Sequence, residues 1–376
     1  MGMAKKEVFH IVTNNNLKVI NNLWISTQER RKVNMITTIV SVDNLSTDNA
    51  SYAQAVDLLI KGEVVAFPTE TVYGLGAIAT SEEAVAKIFE AKGRPQDNPL
   101  IVHVGSQEEI KAFTNNIPKL AQLCMDTFWP GPLTLILPLK PNTLAVNVTA
   151  GLQTVGVRMP EHIVALELLK RLKQPVAAPS ANKSGKPSPT KATHVYHDLE
   201  GKIPLILDGG ATGIGLESTV IDFANDIPTI LRPGGVTKAV LEKVIGQVGE
   251  AKPTDHEEAP RAPGMKYAHY APDSPVYLIE PSIVKIKEAV DKIHNEQKKV
   301  AIIASESFEQ VKADYFFSLG KENQLSDAAH LLYQALRDCD ETDVDIILVP
   351  VLSKEGVGTA IMNRLEKAAD GKWFYS

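Results

Sequence analysis

Hydroxyl side chains and a carboxylate follow a short apolar run near the start of the chain. Residues 62–76 read GEVVAFPTETVYGLG, so the run EVVAFP leads directly into Thr69, Glu70, Thr71 and Tyr73. A surface turn would ordinarily use Asn, Asp or Gly at these positions. We interpret the cluster as the end of a buried strand whose hydroxyls face a polar ligand, with an ordinary hydroxyl-capped turn as the alternative.

Two basic residues flank a glycine just beyond a predicted helix. In AKGRPQDNPL, Lys92 and Arg94 lie on either side of Gly93, and Asn98 follows four residues after Arg94. Cations at a helix C-terminus can simply complement the helix dipole. On a turn that Gly93 and Pro95 make rigid, they could instead bind a polyphosphate. Taken alone, this segment fits both interpretations.

An arginine ends a later apolar strand. TVGVRMP places Arg158 there with no acidic residue directly beside it in sequence. A buried guanidinium needs a partner, which is either a distant Asp or Glu or a ligand carboxylate held by two parallel hydrogen bonds. The segments APSANKSGKPSPT, GLESTV and LRPGG add the polar residues Ser180, Asn182, Ser184, Ser188, Ser218 and Arg232. Together these groups predict one cleft lined by hydroxyls and isolated cations, suited to a phosphorylated ligand and a small polar one.

The hydrophobic pattern predicts the elements that position these residues. SYAQAVDLLIKG reads as a helix that stops at Gly62, and TSEEAVAKIFEAKG as a helix from a Thr80–Glu83 capping box to Gly93. Further helices are predicted over 161–173 and 190–199. The predicted strands are EVVAFP, PLIVHV, PLTLILPL, TVGVRMP, QPVAAPSAN, IPLILDGG and STVIDF. Because strands outnumber helices, we expect an α/β domain with an open, twisted, mixed sheet over residues 36–250.

A proline-rich linker and a second pattern follow. Residues 251–274 contain four prolines and no apolar period, yet they hold Met, His and Tyr side chains that a passive spacer does not need. The residues concerned are Met265, Tyr267, His269 and Tyr270. Residues 275–376 then alternate strand and helix, which predicts a smaller, parallel, doubly wound α/β domain. Its predicted helices span 283–297, 325–340 and 359–369.

Composition limits the classes of function. The 376 residues carry a formal net charge of -6, but residues 1–34 contain six basic and two acidic side chains, a net of +4 that leaves -10 for the remainder. A region with this net negative charge is not expected to bind duplex nucleic acid in general. The first 35 residues are predicted to form an N-terminal extension, either a flexible basic tail or an upstream stretch before a start at Met35, and the second is favoured.

Other familiar motifs and segments are missing or weak. There is no P-loop and no G-x-S-x-G elbow, GVGTAI lacks the third glycine of a dinucleotide fingerprint, and the His194/His197 pair has no third metal ligand nearby. No apolar run approaches the length of a membrane span, and no secretion signal is visible. The two cysteines, Cys124 and Cys339, fall in different predicted domains, which favours a reducing, cytoplasmic location.

The ordered set of motifs resembles the YrdC-type threonylcarbamoyl-AMP synthase family. The set is FPTETVYGLG, KGRPQDNPLIVHV, WPGPLT, VGVRMP, APSANKSG, ESTV and LRPGG, and the APGMKYAHYAP linker with the smaller α/β domain resembles the long, two-domain form of that family. The resemblance covers residues 36–376. It implies an open α/β domain with a concave, positively lined catalytic surface, a Rossmann-like second domain, and a linker that crosses the cleft.

The resemblance also implies an activity. Enzymes of this family join L-threonine, bicarbonate and ATP into threonylcarbamoyl-AMP and diphosphate, and a partner complex passes the threonylcarbamoyl group to the adenosine next to the anticodon of certain tRNAs. Stable binding of nucleic acid by this chain is then not required. Mg²⁺ is expected mainly on phosphate oxygens and water, because no carboxylate cluster is evident for it. Closing the cleft would protect a labile carbamate, so the linker is predicted to act as a lid.

Matching positions carry the family's binding roles. Those that imply contact with threonine are Thr71, His103, Arg158, Ser218 and the backbone at Ala178. Those that imply contact with ATP are Lys92, Arg94, Asn98, Thr154, Ser180, Ser188 and Arg232, with Tyr267 as the linker tyrosine and Tyr270 as its alternative. Lys92 and Arg94 are the expected catalytic cations. Thr69, Thr71 and Tyr73 are then expected to meet the amino acid, and Glu70 to orient basic neighbours.

Two other classes of function are weaker alternatives. An RNA-binding module without catalysis would need stripes of Lys and Arg with aromatic platforms, whereas only 6% of the residues are aromatic. A carbamoyltransferase would consume carbamoyl phosphate without threonine, so amino acid dependence separates it from the favoured function.

Overall fold

A large mixed sheet forms the centre of the first domain. The structure, a computed structural model, describes residues 35–42, 50–251 and 269–375. The strands of the large sheet are β1 Thr38–Ser41, β2 Val65–Phe67, β3 Gly74–Ile78, β4 Ile101–His103, β5 Leu133–Pro138, β6 Thr154–Arg158, β7 Val176–Ala177, β8 Leu205–Asp208, β9 Thr219–Asp222, β10 Thr229–Arg232 and β11 Gly249–Glu250. Their order in the sheet is β1-β8-β2-β3-β7-β4-β6-β5-β9-β10-β11. The sheet combines parallel pairs such as β4 with β6 and antiparallel pairs such as β5 with β6, so the predicted mixed sheet is confirmed.

Helices cover both faces of this sheet. They are α1 Ala50–Ile60, α2 Glu82–Lys92, α3 Lys119–Phe128, α4 Val146–Thr149, α5 Ile163–Leu172, α6 Ala192–Leu199 and α7 Lys238–Ile245. Successive strand residues point to opposite faces. Ala66 therefore joins the core under α2, α3, α6 and α7, whereas Val65 and Phe67 join the core under α1 and α5. The functional loops leave the strand ends between these two layers.

The second domain is built on a small parallel sheet. Its strands are β12 Val276–Ile279, β13 Val300–Ala304, β14 Tyr315–Ser318 and β15 Ile346–Pro350, in the order β12-β15-β13-β14. Its helices are α8 Ile283–Asn295, α9 Leu325–Asp340 and α10 Gly358–Ala368. All three strand pairs are parallel, which confirms the predicted doubly wound domain. One of its cores also takes in Val72 and Leu216 from the first domain, so the two domains pack against each other beside the loop that follows β2.

Element boundaries differ from the sequence predictions in a few places. The N-cap of α2 is Ser81, whose hydroxyl accepts a hydrogen bond from the Ala84 N–H at 3.2 Å, so the capping box predicted at Thr80 was wrong by one residue. Gly93 ends α2 in the left-handed region (φ 62°), as predicted. Strand β3 was not predicted, since Gly74 and Gly76 remove the apolar alternation on which such a prediction depends.

Two adjacent glycines after β10 allow a close backbone approach. A Cβ atom on Gly234 would lie 2.3 Å from the Thr219 nitrogen and 2.5 Å from the Ser218 carbonyl carbon. A Cβ atom on Gly235 would meet only the Ile214 and Pro132 side chains, both at 3.4 Å. Gly234 therefore lets this loop lie directly against the backbone that carries Ser218.

We expect Gly234→Ala to lower the free energy of unfolding by roughly 1–3 kcal/mol, because backbone atoms cannot yield as a flexible side chain can. Gly235→Ala is the matched control and should change it by less than about 0.5 kcal/mol. Urea unfolding of both variants measures the difference. Equal losses would contradict the close approach at Gly234.

Candidate active site

One cavity brings together most of the predicted site residues. It opens where β2, β4, β6, β7 and β10 end and where α2 meets Gly93. Of the predicted residues, those that line it are Thr71, Lys92, Arg94, His103, Arg158, Ala178, Ser180, Ser188, Ser218 and Arg232. Residues as far apart in sequence as Thr71 and Arg232 thus converge on one site.

Three predicted residues are not placed in this cavity. Asn98 is buried beside Arg94, whose Nη2 lies 3.4 Å from the Asn98 carbonyl oxygen, but Asn98 is not part of the cavity wall. Thr154 begins β6, at the opposite end of the strand from Arg158. Tyr267 lies outside the described residues. The roles of all three stay predictions.

Arg158 is held at the end of β6 by three groups. Its Nη2 lies 2.6 Å from Glu70 Oε1 in a buried ion pair, and its Nη1 donates a hydrogen bond to Thr71 Oγ1 at 2.9 Å. Its Nε donates to the carbonyl oxygen of Gly131 at 3.2 Å. A distant carboxylate, one of the two partners that the sequence allowed, is therefore present. Since Arg158 also lines the cavity, its guanidinium remains available to a ligand carboxylate.

The hydroxyls after β2 do not all face the cavity. Thr69 Oγ1 and Thr71 Oγ1 lie 2.8 Å apart, and both residues line the cavity. The Tyr73 hydroxyl instead donates hydrogen bonds to the Gly210 carbonyl oxygen at 2.7 Å and to Asp208 at 3.2 Å. The expectation that Tyr73 meets the amino acid was therefore wrong. Its ring is fully buried and fastens this segment to the end of β8.

His103 is a neutral polar group in the cavity wall. Burial and the nearby Arg158 guanidinium lower the pKa of its imidazole to about 3. Its Nδ1 lies 3.2 Å from the carbonyl oxygen of Ile101, and its ring meets the edge of Phe67. The imidazole can therefore exchange hydrogen bonds with a ligand without adding a charge.

Lys92 is buried without a carboxylate among its hydrogen-bond acceptors. Its Nζ donates to the main-chain oxygens of Ser180 at 2.6 Å and Asn182 at 2.5 Å, and lies 3.4 Å from Asn182 Oδ1. Burial and the Arg94 charge lower its pKa well below the usual value. Three acceptors match the three N–H groups of an ammonium, and they orient the side chain without neutralising it.

Arg232 and Ser218 also line the cavity and are hydrogen-bonded to each other. Arg232 Nε and Nη2 donate to the Ser218 carbonyl oxygen at 3.1 and 3.0 Å, and Nη2 also donates to Ser218 Oγ at 3.1 Å. The Ser218 hydroxyl in turn lies 2.8 Å from Thr134 Oγ1. The guanidinium is therefore fixed by its neighbours before any ligand arrives.

Two residues of the linker region also line the cavity. Tyr270 is buried, with a positive φ of 67°, and its ring packs against that of Tyr333 at 5.5 Å between centroids, with 31° between the ring planes. Burial and the Arg94 charge lower the pKa of the adjacent His269 to about 3. Of the two tyrosines considered for this position, Tyr270 is the one that the structure describes.

Glu217 was not singled out by the sequence analysis. It lines the cavity next to Ser218 and accepts hydrogen bonds from Ser188, Tyr333 and Arg364. A signal for part of this cluster was present in the sequence, since Arg364 stands on the apolar face of a predicted helix together with Ile361 and Leu365. An arginine on such a face requires a buried acceptor.

The charges in the cavity favour an anionic ligand. Lys92, Arg94, Arg158 and Arg232 line it, and Glu217 is the one carboxylate among its described lining residues. Within the described ranges, no group of three His, Cys, Asp or Glu side chains could hold a metal ion. None of the helices in these ranges combines the length and apolar character of a membrane span.

Comparison with known proteins places this site in a family. Residues 57–234 match the family described as "Telomere recombination" (Sua5_yciO_yrdC), and residues 236–370 match the "Threonylcarbamoyl-AMP synthase, C-terminal domain". The chain is 52% identical over 332 residues to the threonylcarbamoyl-AMP synthase of Bacillus subtilis, covering 88% of this chain and 96% of that protein. It is 48% identical over 321 residues to the protein of the same name from Pyrococcus abyssi, covering 84% and 93%.

A solved structure is similar over nearly the whole chain. The crystal structure of P. abyssi Sua5 complexed with L-threonine aligns with a TM-score of 0.83 and 45% identity. The alignment covers 90% of this chain and 98% of the other. The similarity therefore extends over both domains.

The low pKa of His103 has a measurable consequence for stability. The unfolded chain binds a proton at His103 near pH 6.5, whereas the folded protein does so only near pH 3. Stability is therefore lost as the pH falls below about 6.5, by about 1.4 kcal/mol for this group at about pH 5.5. We expect His103→Gln to lose that much less free energy of unfolding than the wild type between about pH 7 and 5.5.

Urea unfolding at the two pH values measures this difference. The ordinary pKa of Glu217 is 4.5; burial would raise it, but the surrounding arginines lower it in the folded protein. The effect of Glu217 on stability therefore falls mainly below pH 4.5, outside the pH range of this experiment. Identical losses in wild type and variant would show that His103 is protonated in the folded protein.

Proposed function

Because this chain belongs to the threonylcarbamoyl-AMP synthase family, we infer that it is an L-threonylcarbamoyladenylate synthase. It joins L-threonine, bicarbonate and ATP into threonylcarbamoyl-AMP, diphosphate and water, for the modification of the tRNA adenosine next to the anticodon. The observation that carries this conclusion is the convergence of a carboxylate-binding arginine, Arg158, and the cations Lys92, Arg94 and Arg232 on one cavity. Such a set suits an amino acid and a polyphosphate together.

Threonine is proposed to bind at the ends of β4 and β6. Arg158 would hold its carboxylate, oriented by Glu70 and Thr71, and Ser218 and the backbone at Ala178 would complete the pocket. His103 would stay neutral here. A neutral imidazole beside the substrate does not repel its ammonium group, whereas a charged one would.

ATP is proposed to bind along the wall formed by Lys92, Arg94 and Arg232, with Ser180 and Ser188 beside it. Main-chain carbonyls hold Lys92 and Arg232, so these cations reach the phosphates already oriented. Asn98 and Thr154 would belong to this site only indirectly, since neither is part of the cavity wall in the described structure.

The chemistry follows from this arrangement. The threonine amine and bicarbonate form a carbamate and water, and a carbamate oxygen then attacks the α-phosphorus of ATP. The new oxygen–phosphorus bond replaces the bond to diphosphate, which leaves with its negative charge. Catalysis by positioning and electrostatics is enough for such a transfer, and one lost donor costs about a hundredfold to a thousandfold in rate.

The residues next to the linker are proposed to cover the nucleotide. His269 and Tyr270 line the cavity, and the Ala271 N–H donates to the Gly185 carbonyl oxygen at 2.9 Å. A cover at this point would keep water from the carbamate and its mixed anhydride. Tyr270 serves this role in our proposal, and Tyr267 remains the alternative.

The remaining partners follow from the proposed reaction. Among the described residues, no trio of metal-ligating side chains fits Mg²⁺, so the ion would enter with the nucleotide on its phosphate oxygens. The product would pass to a tRNA threonylcarbamoyl-transfer complex. We propose a cytoplasmic location, which the buried free thiols of Cys124 and Cys339 support.

Diphosphate release tests the proposed function. With ATP and bicarbonate present, we expect release only when threonine is added, among the common amino acids tried in turn. Arg158→Ala and Lys92→Ala should each lower the rate by about a hundredfold or more. Lys87→Ala is the matched control, because Lys87 lies on the same helix as Lys92 but pairs with Glu63 at the surface. Release that does not depend on threonine would contradict the proposal.

A further inference from the structure

A buried polar cluster joins the second domain to the nucleotide side of the cavity. Glu217 Oε2 accepts a hydrogen bond from Arg364 Nε of α10 at 2.8 Å and from the Tyr333 hydroxyl of α9 at 2.8 Å. Arg364 and Tyr333 are both fully buried. Arg364 Nη1 also donates to the carbonyl oxygen of Pro233, directly after Arg232, at 3.0 Å. Arg364 therefore contacts Glu217, which lines the cavity, and Pro233, which follows the cavity residue Arg232.

The carboxylate of Glu217 fixes the direction of the hydrogen bonds that it makes with Ser188 and Tyr333. Burial alone would raise its pKa, but the guanidinium groups of Arg364 and Arg232 outweigh burial and lower that pKa to about 2. Burial and the Glu217 charge raise the pKa of Tyr333 well above its usual value. Glu217 is therefore an acceptor only, and each neighbouring hydroxyl must donate to it.

Ser188 is the hydroxyl that this arrangement constrains. It is buried, lines the cavity, and donates its one hydroxyl proton to Glu217 Oε1 at 2.5 Å. The Ser188 oxygen can then only accept a hydrogen bond from a ligand. A phosphate oxygen offers no proton, whereas ribose hydroxyls and the adenine amino group do.

We propose that Glu217, held by Arg364 and Tyr333 of the second domain, is a positioning residue that turns the Ser188 hydroxyl into an acceptor for a hydrogen-bond donor of the nucleoside part of ATP. The second domain then completes the nucleotide site through its side chains, in addition to packing beside it. This inference rests on the proposed function for the identity of the nucleotide.

Loss of the oriented hydrogen bond between Ser188 and Glu217 should raise the KM for ATP more than the KM for threonine. We expect Glu217→Gln to raise the KM for ATP by about fivefold to tenfold, the effect of one oriented hydrogen bond, with little change in the KM for threonine. Threonine-dependent diphosphate release measures both constants. The wild type must show this release first, and its absence there would count against the proposed function, not against the role of Glu217.

A double-mutant cycle separates positioning from simple structural support. In a Ser188→Ala background, Glu217→Gln should change the KM for ATP by less than about twofold, because the hydroxyl through which Glu217 acts is gone. The same multiplicative change in both backgrounds, or an unchanged KM for ATP in folded Glu217→Gln, would overturn the proposal.

A milder variant protects the test against misfolding. Tyr333→Phe removes one donor to Glu217 and leaves Arg364 in place, so a smaller rise in the KM for ATP is expected. Tyr315→Phe is the matched control, since its hydroxyl bonds Asp343 at the surface of the same domain. Indistinguishable KM values for ATP in these two variants would overturn the proposal as well.

Discussion

Buried positive charge, held by main-chain carbonyls, is the constraint on which this site depends. Lys92 donates to the carbonyl oxygens of Ser180 and Asn182, and Arg232 to that of Ser218. A buried cation must be hydrogen-bonded, and a carboxylate partner would cancel its charge. Carbonyl dipoles satisfy the donors and leave the charge for an anionic ligand. The loop after β7 and the residue before β9 supply these oxygens.

Carboxylates are placed where orientation matters more than net charge. Glu70 lies against Arg158, and Glu217 lies among Ser188, Tyr333 and Arg364. Each carboxylate holds the side chains that it contacts in one orientation. Less conformational entropy is therefore lost when substrates bind. The second domain contributes through the same device. Arg364 of α10 helps to keep Glu217 ionised, and Tyr333 of α9 donates a hydrogen bond to the same carboxylate, so side chains of this domain contact a residue of the cavity wall.

Local patterns in the sequence predicted much of the fold and a large share of the site. Helix α9 was predicted with its observed bounds, and the turn at Gly93 followed from the need for a left-handed residue there. The expectation that Glu70 orients a basic neighbour is confirmed by its ion pair with Arg158. The sequence did not show that this neighbour is Arg158, because the fold alone brings the two distant residues together. The Tyr73 hydroxyl was misplaced for the same reason: its acceptors at Asp208 and Gly210 lie on another strand's end.

The most direct test of the account follows the carbon of bicarbonate into the product. Isotopically labelled bicarbonate is incubated with the enzyme, ATP and threonine. The nucleotide products are then separated, and their masses are measured by mass spectrometry. We predict a product that contains AMP, threonine and the labelled carbon, formed together with diphosphate. Formation of AMP or of threonyl-adenylate without the label would contradict the account, because the cavity would then activate threonine itself and not its carbamate.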